Sequence, residues 1–153
     1  MKSTILLIDD DPGVRRMLLR LLTEEGYQVV PAGRAEEAFE QASRHPIDLV
    51  LLDLNLPAQD GWTIFEKLTT ANPLLPVIVI TARSNQVFPA LASGVAALME
   101  KPLDLPKLLG LIHDLLTEPD EARLARMNGR SAEFHYLPSR EERIARALER
   151  KQR

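Results

Sequence analysis

Five short apolar runs alternate with five helical patterns over the first 117 residues of this chain. Such an alternation favours a parallel sheet with helices on both faces, because the return to each parallel strand needs a crossover helix. The third and fourth runs are apolar almost throughout, which is typical of strands covered on both sides. We therefore expect a doubly wound α/β domain with five strands in the order 2-1-3-4-5 and five surrounding helices. The runs span residues 4–8, 27–31, 47–53, 76–81 and 96–99.

One of the helical patterns contains a proline, Pro89. A proline in a helix interior costs ~3 kcal/mol, whereas the first turn tolerates it because the first amides have no intrahelical partner. We therefore expect the fourth helix to be short and to begin near Phe88, or to be partly unwound. The fifth pattern is a clear amphipathic helix after Asp104, which we predict as its N-cap.

The composition excludes several classes of function. The chain contains no cysteine, which excludes thiol catalysis, cysteine-ligated zinc and a disulfide scaffold. No apolar run approaches the ~20 residues of a membrane span, and the N-terminus lacks the pattern of a signal peptide. These features predict a cytoplasmic protein that does not insert into a membrane.

Charge divides the chain into two parts. Residues 1–117 carry a net charge of −5 and residues 118–153 a net charge of +2. We therefore expect a main domain over 1–117 and a charged extension over 118–153 that is helical or disordered. Short helices are predicted at about 120–127 and 140–151. The second is basic, but interleaved glutamates make a solvated helix a better prediction than a nucleic-acid contact.

The extension contains one aromatic cluster, the sequence FHYLP at residues 134–138. This cluster could dock on the main domain or on a partner protein.

Charged and hydroxyl side chains follow four of the predicted strands. In doubly wound sheets, ligands bind outside the carboxyl ends of the strands. Three carboxylates at that edge would repel one another without a hard cation, and Mg²⁺ prefers such oxygen ligands. A hydroxyl and an ammonium group beside them could hold phosphate oxygens, so we predict a Mg²⁺-dependent site in which a carboxylate accepts a phosphoryl group. The residues are Asp9, Asp10, Asp53, Thr81 and Lys101.

Four stretches contain these residues: ILLIDDDPGVRRML, DLVLLDLNLPAQDGW, VIVITA and EKPLD. In this order and at these separations, they resemble the receiver domain of two-component response regulators, in particular single-domain chemotaxis-type regulators. The resemblance covers residues 1–117 and implies a flavodoxin-like fold. It also implies that Asp53 accepts a phosphoryl group from a sensor histidine kinase or a histidine phosphotransfer protein. The domain would then signal in the phosphorelay through a conformational switch.

The resemblance further implies a domain that catalyses only its own phosphorylation and dephosphorylation, rather than an enzyme with a separate substrate. An unidentified output partner is expected, and a homodimer is one assembly open to such a domain.

The resemblance also implies a set of metal ligands. Asp10 and Asp53 would bind Mg²⁺ directly, Asp9 would act mostly through water, and the backbone carbonyl of Asn55 would complete the protein ligands.

Two further residues have implied roles in switching. Thr81 would bond a phosphoryl oxygen and shift towards it, and Lys101 would pair with both the phosphate and Asp53. The family pattern has a cis peptide bond between Lys101 and Pro102. Receivers usually have Tyr or Phe at the position of Leu98, so any switch linked to Thr81 would depend on aliphatic packing or would be weaker.

Asp11 has a different predicted role from its two acidic neighbours. It precedes Pro12, which suits the first position of a helix, and aspartate is a favoured N-cap. We therefore expect its carboxylate to bind free backbone amides rather than the metal.

Three other functions remain open at the level of sequence. The chain could be a truncated DNA-binding transcriptional regulator, or a receiver-fold interaction module that works without phosphorylation. It could also be a Mg²⁺-dependent phosphohydrolase that uses Asp9 and Asp11 as a D-x-D pair. Gly13 stands where haloacid-dehalogenase-like enzymes have Thr or Val, which weighs against the third reading.

Overall fold

A six-stranded parallel sheet forms the centre of the molecule, with the strand order β2-β1-β3-β4-β5-β6. The computed structural model describes residues 2–57, 60–83, 85–127 and 134–152. The first five strands have the predicted order, which confirms the doubly wound α/β fold. The strands are β1 (Thr4–Ile8), β2 (Gln28–Ala32), β3 (Leu49–Asp53), β4 (Val77–Thr81), β5 (Ala97–Glu100) and β6 (His135–Leu137).

Five helices connect the first five strands and follow the fifth, as the alternating pattern predicts. The helices of the extension fall on the two segments where they were expected. The helices are α1 (Pro12–Glu24), α2 (Ala35–Arg44), α3 (Gly61–Ala71), α4 (Val87–Ser93), α5 (Leu105–Thr117), α6 (Asp120–Met127) and α7 (Arg140–Lys151).

The sheet separates two apolar cores. One contains side chains of α1 and α5, and the other contains side chains of α2, α3 and α4. Every residue of β1, β3 and β4 is buried, because each of these strands is covered on both faces. The burial explains why these runs are apolar throughout, and it leaves only the strand ends for polar chemistry.

The sixth strand corrects the expectation of a five-stranded sheet. β6 pairs in parallel with β5, and the His135 amide donates to the Ala96 carbonyl oxygen at 3.2 Å. The sheet therefore continues past residue 118, where the sequence predicts a boundary. A strand of three residues is too short to give a periodic pattern, so its aromatic residues were visible in the sequence but its pairing was not.

The fourth helix is short, as the position of Pro89 predicts. α4 has seven residues, and its proline lies in the first turn. The first backbone bond of the helix runs from the Ala90 amide to the Gln86 carbonyl at 3.0 Å. Pro89 therefore removes no hydrogen bond, because its position is one where the helix has no amide partner.

Among the described residues, none of the helices has the length and apolar character needed to cross a membrane.

Two glycines provide a matched test of how closely the start of α3 packs against the segment after β3. A Cβ atom on Gly61 would lie 2.7 Å from the Leu54 Cα atom, whereas a Cβ on Gly110 would meet nothing within 4 Å. We expect Gly61→Ala to lower the free energy of unfolding by about 1–3 kcal/mol through overpacking. Gly110→Ala, at an exposed position of α5, should raise it by roughly 0.5–1 kcal/mol. Urea denaturation measures both, and equal effects would contradict the close approach at Gly61.

Candidate functional site

Three carboxylates meet at the carboxyl edge of the sheet. Asp9 and Asp10 follow β1, and Asp53 is the last residue of the adjacent strand β3. Each offers an oxygen, and these oxygens all lie within 4.8 Å of one another. Asp9 is 1% exposed and Asp53 is 2% exposed, while Asp10 is half-buried. The edge therefore concentrates negative charge where little water can screen it.

The electrostatics of Asp9 reflect this crowding. Its pKa is raised from the ordinary value of 3.8, first because burial disfavours the charged form and then because the charges of Asp53 and Asp10 repel it. The Asp11 amide donates to Asp9 Oδ1 at 2.9 Å and, with the charge of Lys101, opposes the increase in pKa. A buried carboxylate of this kind gains from an added cation, so the oxygen cluster fits a hard divalent ion.

Lys101 brings a positive charge to the three carboxylates. Its Nζ atom lies 2.9 Å from Asp53 Oδ2 and 4.0 Å from Asp9 Oδ2. Burial lowers the pKa of Lys101, but the hydrogen bond to Asp53 and the three acidic charges outweigh burial, so the net pKa is raised. The ammonium group therefore remains charged beside Asp53.

The backbone at Lys101 fixes where this ammonium group lies. The Lys101 amide donates to the Thr81 carbonyl at 2.8 Å, which ties the end of β5 to the end of β4. The peptide bond between Lys101 and Pro102 is cis, as the resemblance implies.

Thr81 is fully buried at the end of β4. Its hydroxyl oxygen accepts a hydrogen bond from the Arg83 amide at 3.0 Å. Because a hydroxyl has one proton as well as two lone pairs, Thr81 can still donate one hydrogen bond.

Asn55 approaches the acceptor carboxylate through its amide. The Asn55 N–H donates to Asp53 Oδ1 at 2.9 Å, and together with Lys101 it gives both oxygens of Asp53 a partner. The predicted metal contact of Asn55 involves its carbonyl instead, so that role stays a prediction.

Asp11 caps α1 and lies outside the carboxylate cluster. Its Oδ1 atom accepts from the Gly13 amide at 2.8 Å and from the Val14 amide at 3.3 Å. This geometry confirms the predicted N-cap. It also weakens the reading of Asp9 and Asp11 as a catalytic D-x-D pair, because the Asp11 carboxylate is bound to the helix.

Sequence reasoning missed several residues around the site. Arg15 donates from Nη1 to the Asp9 carbonyl at 2.8 Å. Trp62 donates from Nε1 to Gln86 Oε1 at 2.9 Å and so ties the start of α3 to the segment before α4. Glu100 is 5% exposed and pairs with Thr81 across the sheet. The sequence MEKP placed Glu100 next to Lys101, but nothing local signalled that its carboxylate would be buried.

The sequence matches the model of one protein family, described as the response regulator receiver domain, over residues 5–113.

Curated relatives are much longer than this chain. It is 36% identical over 116 residues to the transcriptional regulatory protein GlrR of Escherichia coli (strain K12). The match covers 74% of this chain and 26% of GlrR. It is 37% identical over 122 residues to the response regulator MprA of Mycobacterium leprae, covering 77% of this chain and 54% of that protein. The chain therefore spans between about a quarter and about half of these two relatives.

Solved structures share the fold. A CheY-like response regulator receiver domain protein from Methanospirillum hungatei has a TM-score of 0.73 and 31% identity, covering 79% of this chain and 98% of that one. The response regulator TrrA from Thermotoga maritima, solved in complex with Mg(2+)-BeF, has a TM-score of 0.68 and 26% identity. That match covers 74% of this chain and 98% of TrrA.

The raised pKa of Asp9 predicts how stability depends on burying this carboxylate beside Asp53 and Asp10. When folding raises the pKa of a carboxyl group, the folded protein loses stability as the pH rises from the pKa of the unfolded state through the pKa of the folded state. Asp9→Asn should therefore raise the free energy of unfolding at pH 7 without Mg²⁺, and the gain should disappear below the ordinary pKa of 3.8.

Denaturant melts across pH measure this difference. Asp114→Asn on α5 is the matched control, since it removes the same charge from an exposed position. If Asp9→Asn left the free energy of unfolding at pH 7 unchanged or lowered it, that result would contradict the raised pKa of Asp9.

Proposed function

The chain belongs to the response regulator receiver domain family, and from that membership we propose that Asp53 is its phosphoacceptor. One observation carries this assignment: Lys101 Nζ lies 2.9 Å from Asp53 Oδ2, inside a cluster of three carboxylates. The ion pair holds the Asp53 carboxylate in place at the end of β3. The molecule is thus a receiver domain of two-component response regulators, and Asp53 is its reactive group.

The proposed reaction is a phosphoryl transfer to a carboxylate oxygen. An Asp53 oxygen forms a bond to phosphorus while the bond from phosphorus to the histidine nitrogen of the donor breaks, and the electron pair of that bond returns to the imidazole. The Lys101 ammonium group neutralises charge on the transferred group, and the Asn55 amide holds the carboxylate in one orientation.

The oxygen cluster fits a magnesium ion, and the raised pKa of Asp9 supports this choice, because an added cation would stabilise the charged form of a buried carboxylate. We assign Asp10 and Asp53 as direct ligands, Asp9 as a ligand through water, and the Asn55 carbonyl as the last protein ligand. When bound, Mg²⁺ supplies positive charge to the phosphoryl oxygens. The complex of TrrA with Mg(2+)-BeF supports this assignment.

Thr81 couples the acceptor to the rest of the domain in this proposal. Its hydroxyl proton is donated to a phosphoryl oxygen, and the side chain moves towards Asp53. Leu98, fully buried on the neighbouring strand β5, is the aliphatic residue behind it. The conformational switch therefore depends on repacking around an aliphatic side chain.

The proposed partners are a sensor histidine kinase or a histidine phosphotransfer protein, with no substrate beyond the domain's own aspartyl phosphate. We assign the receiver to residues 1–117 and treat 118–153 as an extension that adds one strand to its sheet. GlrR and MprA are regulators longer than this chain, so the output of the signal is a separate question.

The phosphoacceptor assignment can be tested by intact mass spectrometry. With Mg²⁺ and a small acyl-phosphate donor, we expect the protein to gain a single phosphoryl group, and Asp53→Asn to gain none. Asp60→Asn is a matched control, because this exposed N-cap residue of α3 loses the same charge and Asn caps equally well. An adduct that persists in Asp53→Asn would contradict the assignment. An unmodified parent protein would favour a receiver fold that acts without phosphorylation.

Neighbouring aspartates test the metal assignment. Asp10→Asn should weaken Mg²⁺ binding by at least roughly tenfold, since it removes a direct carboxylate ligand. Asp11→Asn should leave binding within about twofold, because Asn caps a helix almost as well as Asp.

Fluorescence of Trp62, the only tryptophan, can follow the titration, because Trp62 lines a cleft with Asn55 and Arg83. Equal weakening in Asp10→Asn and Asp11→Asn would contradict the division of the acidic run into a metal site and a cap.

A further inference from the structure

Strand β6 brings an aromatic hydroxyl to a buried carboxylate at the edge of the site. Tyr136 pairs with Leu98 of β5, and its hydroxyl donates to Glu100 Oε1. The rings of Phe134 and Tyr136 pack on the core that contains Leu98 and Ala90. The pKa of Tyr136 is raised, first by burial and then by the bond and charge of Glu100. Tyr136 therefore keeps its proton and remains a donor.

Glu100 lies next to Thr81 on the same face of the sheet. The two residues are register partners in β5 and β4, and paired residues of adjacent parallel strands share a face at a spacing of about 5 Å. Glu100 is 5% exposed and Thr81 is fully buried. A buried carboxylate needs hydrogen-bond donors, and Thr81, the register partner of Glu100, carries a hydroxyl donor on the same face of the sheet.

The Glu100 carboxylate and a phosphoryl group on Asp53 would thus compete for one hydrogen bond from Thr81. The Thr81 oxygen already accepts from the Arg83 amide, so its single hydroxyl proton can serve either Glu100 or a phosphoryl group on Asp53. A donor from another strand can bias the competition, because a carboxylate that already accepts one hydrogen bond is a weaker acceptor for a second. Tyr136 is that donor.

We propose that Tyr136 is a positioning residue for phosphoryl acceptance, acting through Glu100. Its hydroxyl binds one oxygen of Glu100, weakens the carboxylate as an acceptor for Thr81, and so favours donation of the Thr81 proton to the phosphoryl group. This inference rests on the proposed function of Asp53 and Thr81, and it makes β6 part of the reactive site. Because coupling is reciprocal, a phosphoryl group that accepts the Thr81 hydrogen bond also strengthens the bond from Tyr136 to Glu100 and so the attachment of β6.

Tyr136→Phe keeps the ring and removes only the hydroxyl, and Tyr27→Phe makes the same change beside α1 and α5, in the other core. With an acyl-phosphate donor and Mg²⁺, Tyr136→Phe should shorten the phosphoryl lifetime by roughly tenfold, the effect of one hydrogen bond to a charged group. Tyr27→Phe should match the parent protein. An unchanged lifetime in Tyr136→Phe would overturn the proposal.

Two double variants separate positioning from simple support of the fold. In a Thr81→Ala background, Tyr136→Phe should have no further effect on the lifetime, because the proton in question is absent. In a Glu100→Gln background, the effect should fall to about twofold or less, since an amide is a weaker acceptor than a carboxylate. Additive effects in both backgrounds would show that Tyr136 acts in another way and would overturn the proposal.

A second readout does not require phosphorylation. In the unphosphorylated protein, Tyr136→Phe should turn the Thr81 hydroxyl towards Glu100 and shift the NMR resonance of the Arg83 amide that binds it. Adding Glu100→Gln should restore the resonance. An Arg83 resonance that Tyr136→Phe leaves unchanged would overturn the inference even if Asp53 is phosphorylated. A shifted resonance in a protein that accepts no phosphoryl group would support the contact and refute the proposed function instead.

Discussion

The ion pair between Lys101 and Asp53 is the interaction on which the site depends. Without the ammonium group, Asp9, Asp10 and Asp53 would hold oxygens within 4.8 Å of one another and would lose the ion pairs that Lys101 makes with Asp53 and Asp9. Burial makes this crowding costly, because water cannot screen it. Lys101 nevertheless brings one positive charge to three carboxylates, and burial together with the charges of Asp53 and Asp10 keeps the pKa of Asp9 raised. A site with a residual excess of negative charge is well suited to bind a divalent cation and, with it, a phosphoryl group.

The sequence was sufficient to predict this constellation because the strands that carry it are buried on both faces. β1, β3 and β4 each contain an unbroken run of four apolar residues, so the first polar residue after each run marks a strand end. Parallel strands present their carboxyl ends at one edge, which brings Asp9, Asp53 and Thr81 together irrespective of their separation in sequence. The cap at Asp11 was predictable for a local reason, since an aspartate before Pro12 has a nearby amide to bind.

Contacts that depend on the extension could not be predicted in the same way. β6 has three residues, and a strand this short is defined by the edge it joins rather than by its own pattern. Nothing in the local sequence marks Glu100 as buried, because a glutamate after a short apolar run is usually solvated. Its burial depends on Tyr136, which lies 36 residues later in the chain. Neither residue alone indicated the pair, since each acquires its role only when β6 adds to the sheet.

The edge of β5 explains why the extension and the site are physically connected. A strand with one unpaired edge exposes backbone amides and carbonyls that invite pairing with another chain. β6 covers this edge, and the same docking places an aromatic ring beside Leu98, where the strand itself has an aliphatic side chain. Because Tyr136 reaches Glu100 only while β6 is paired, the docking of the extension and the state of the phosphoacceptor edge are joined through a single hydrogen bond. Loss of either partner would leave β6 attached by backbone pairing and ring packing alone.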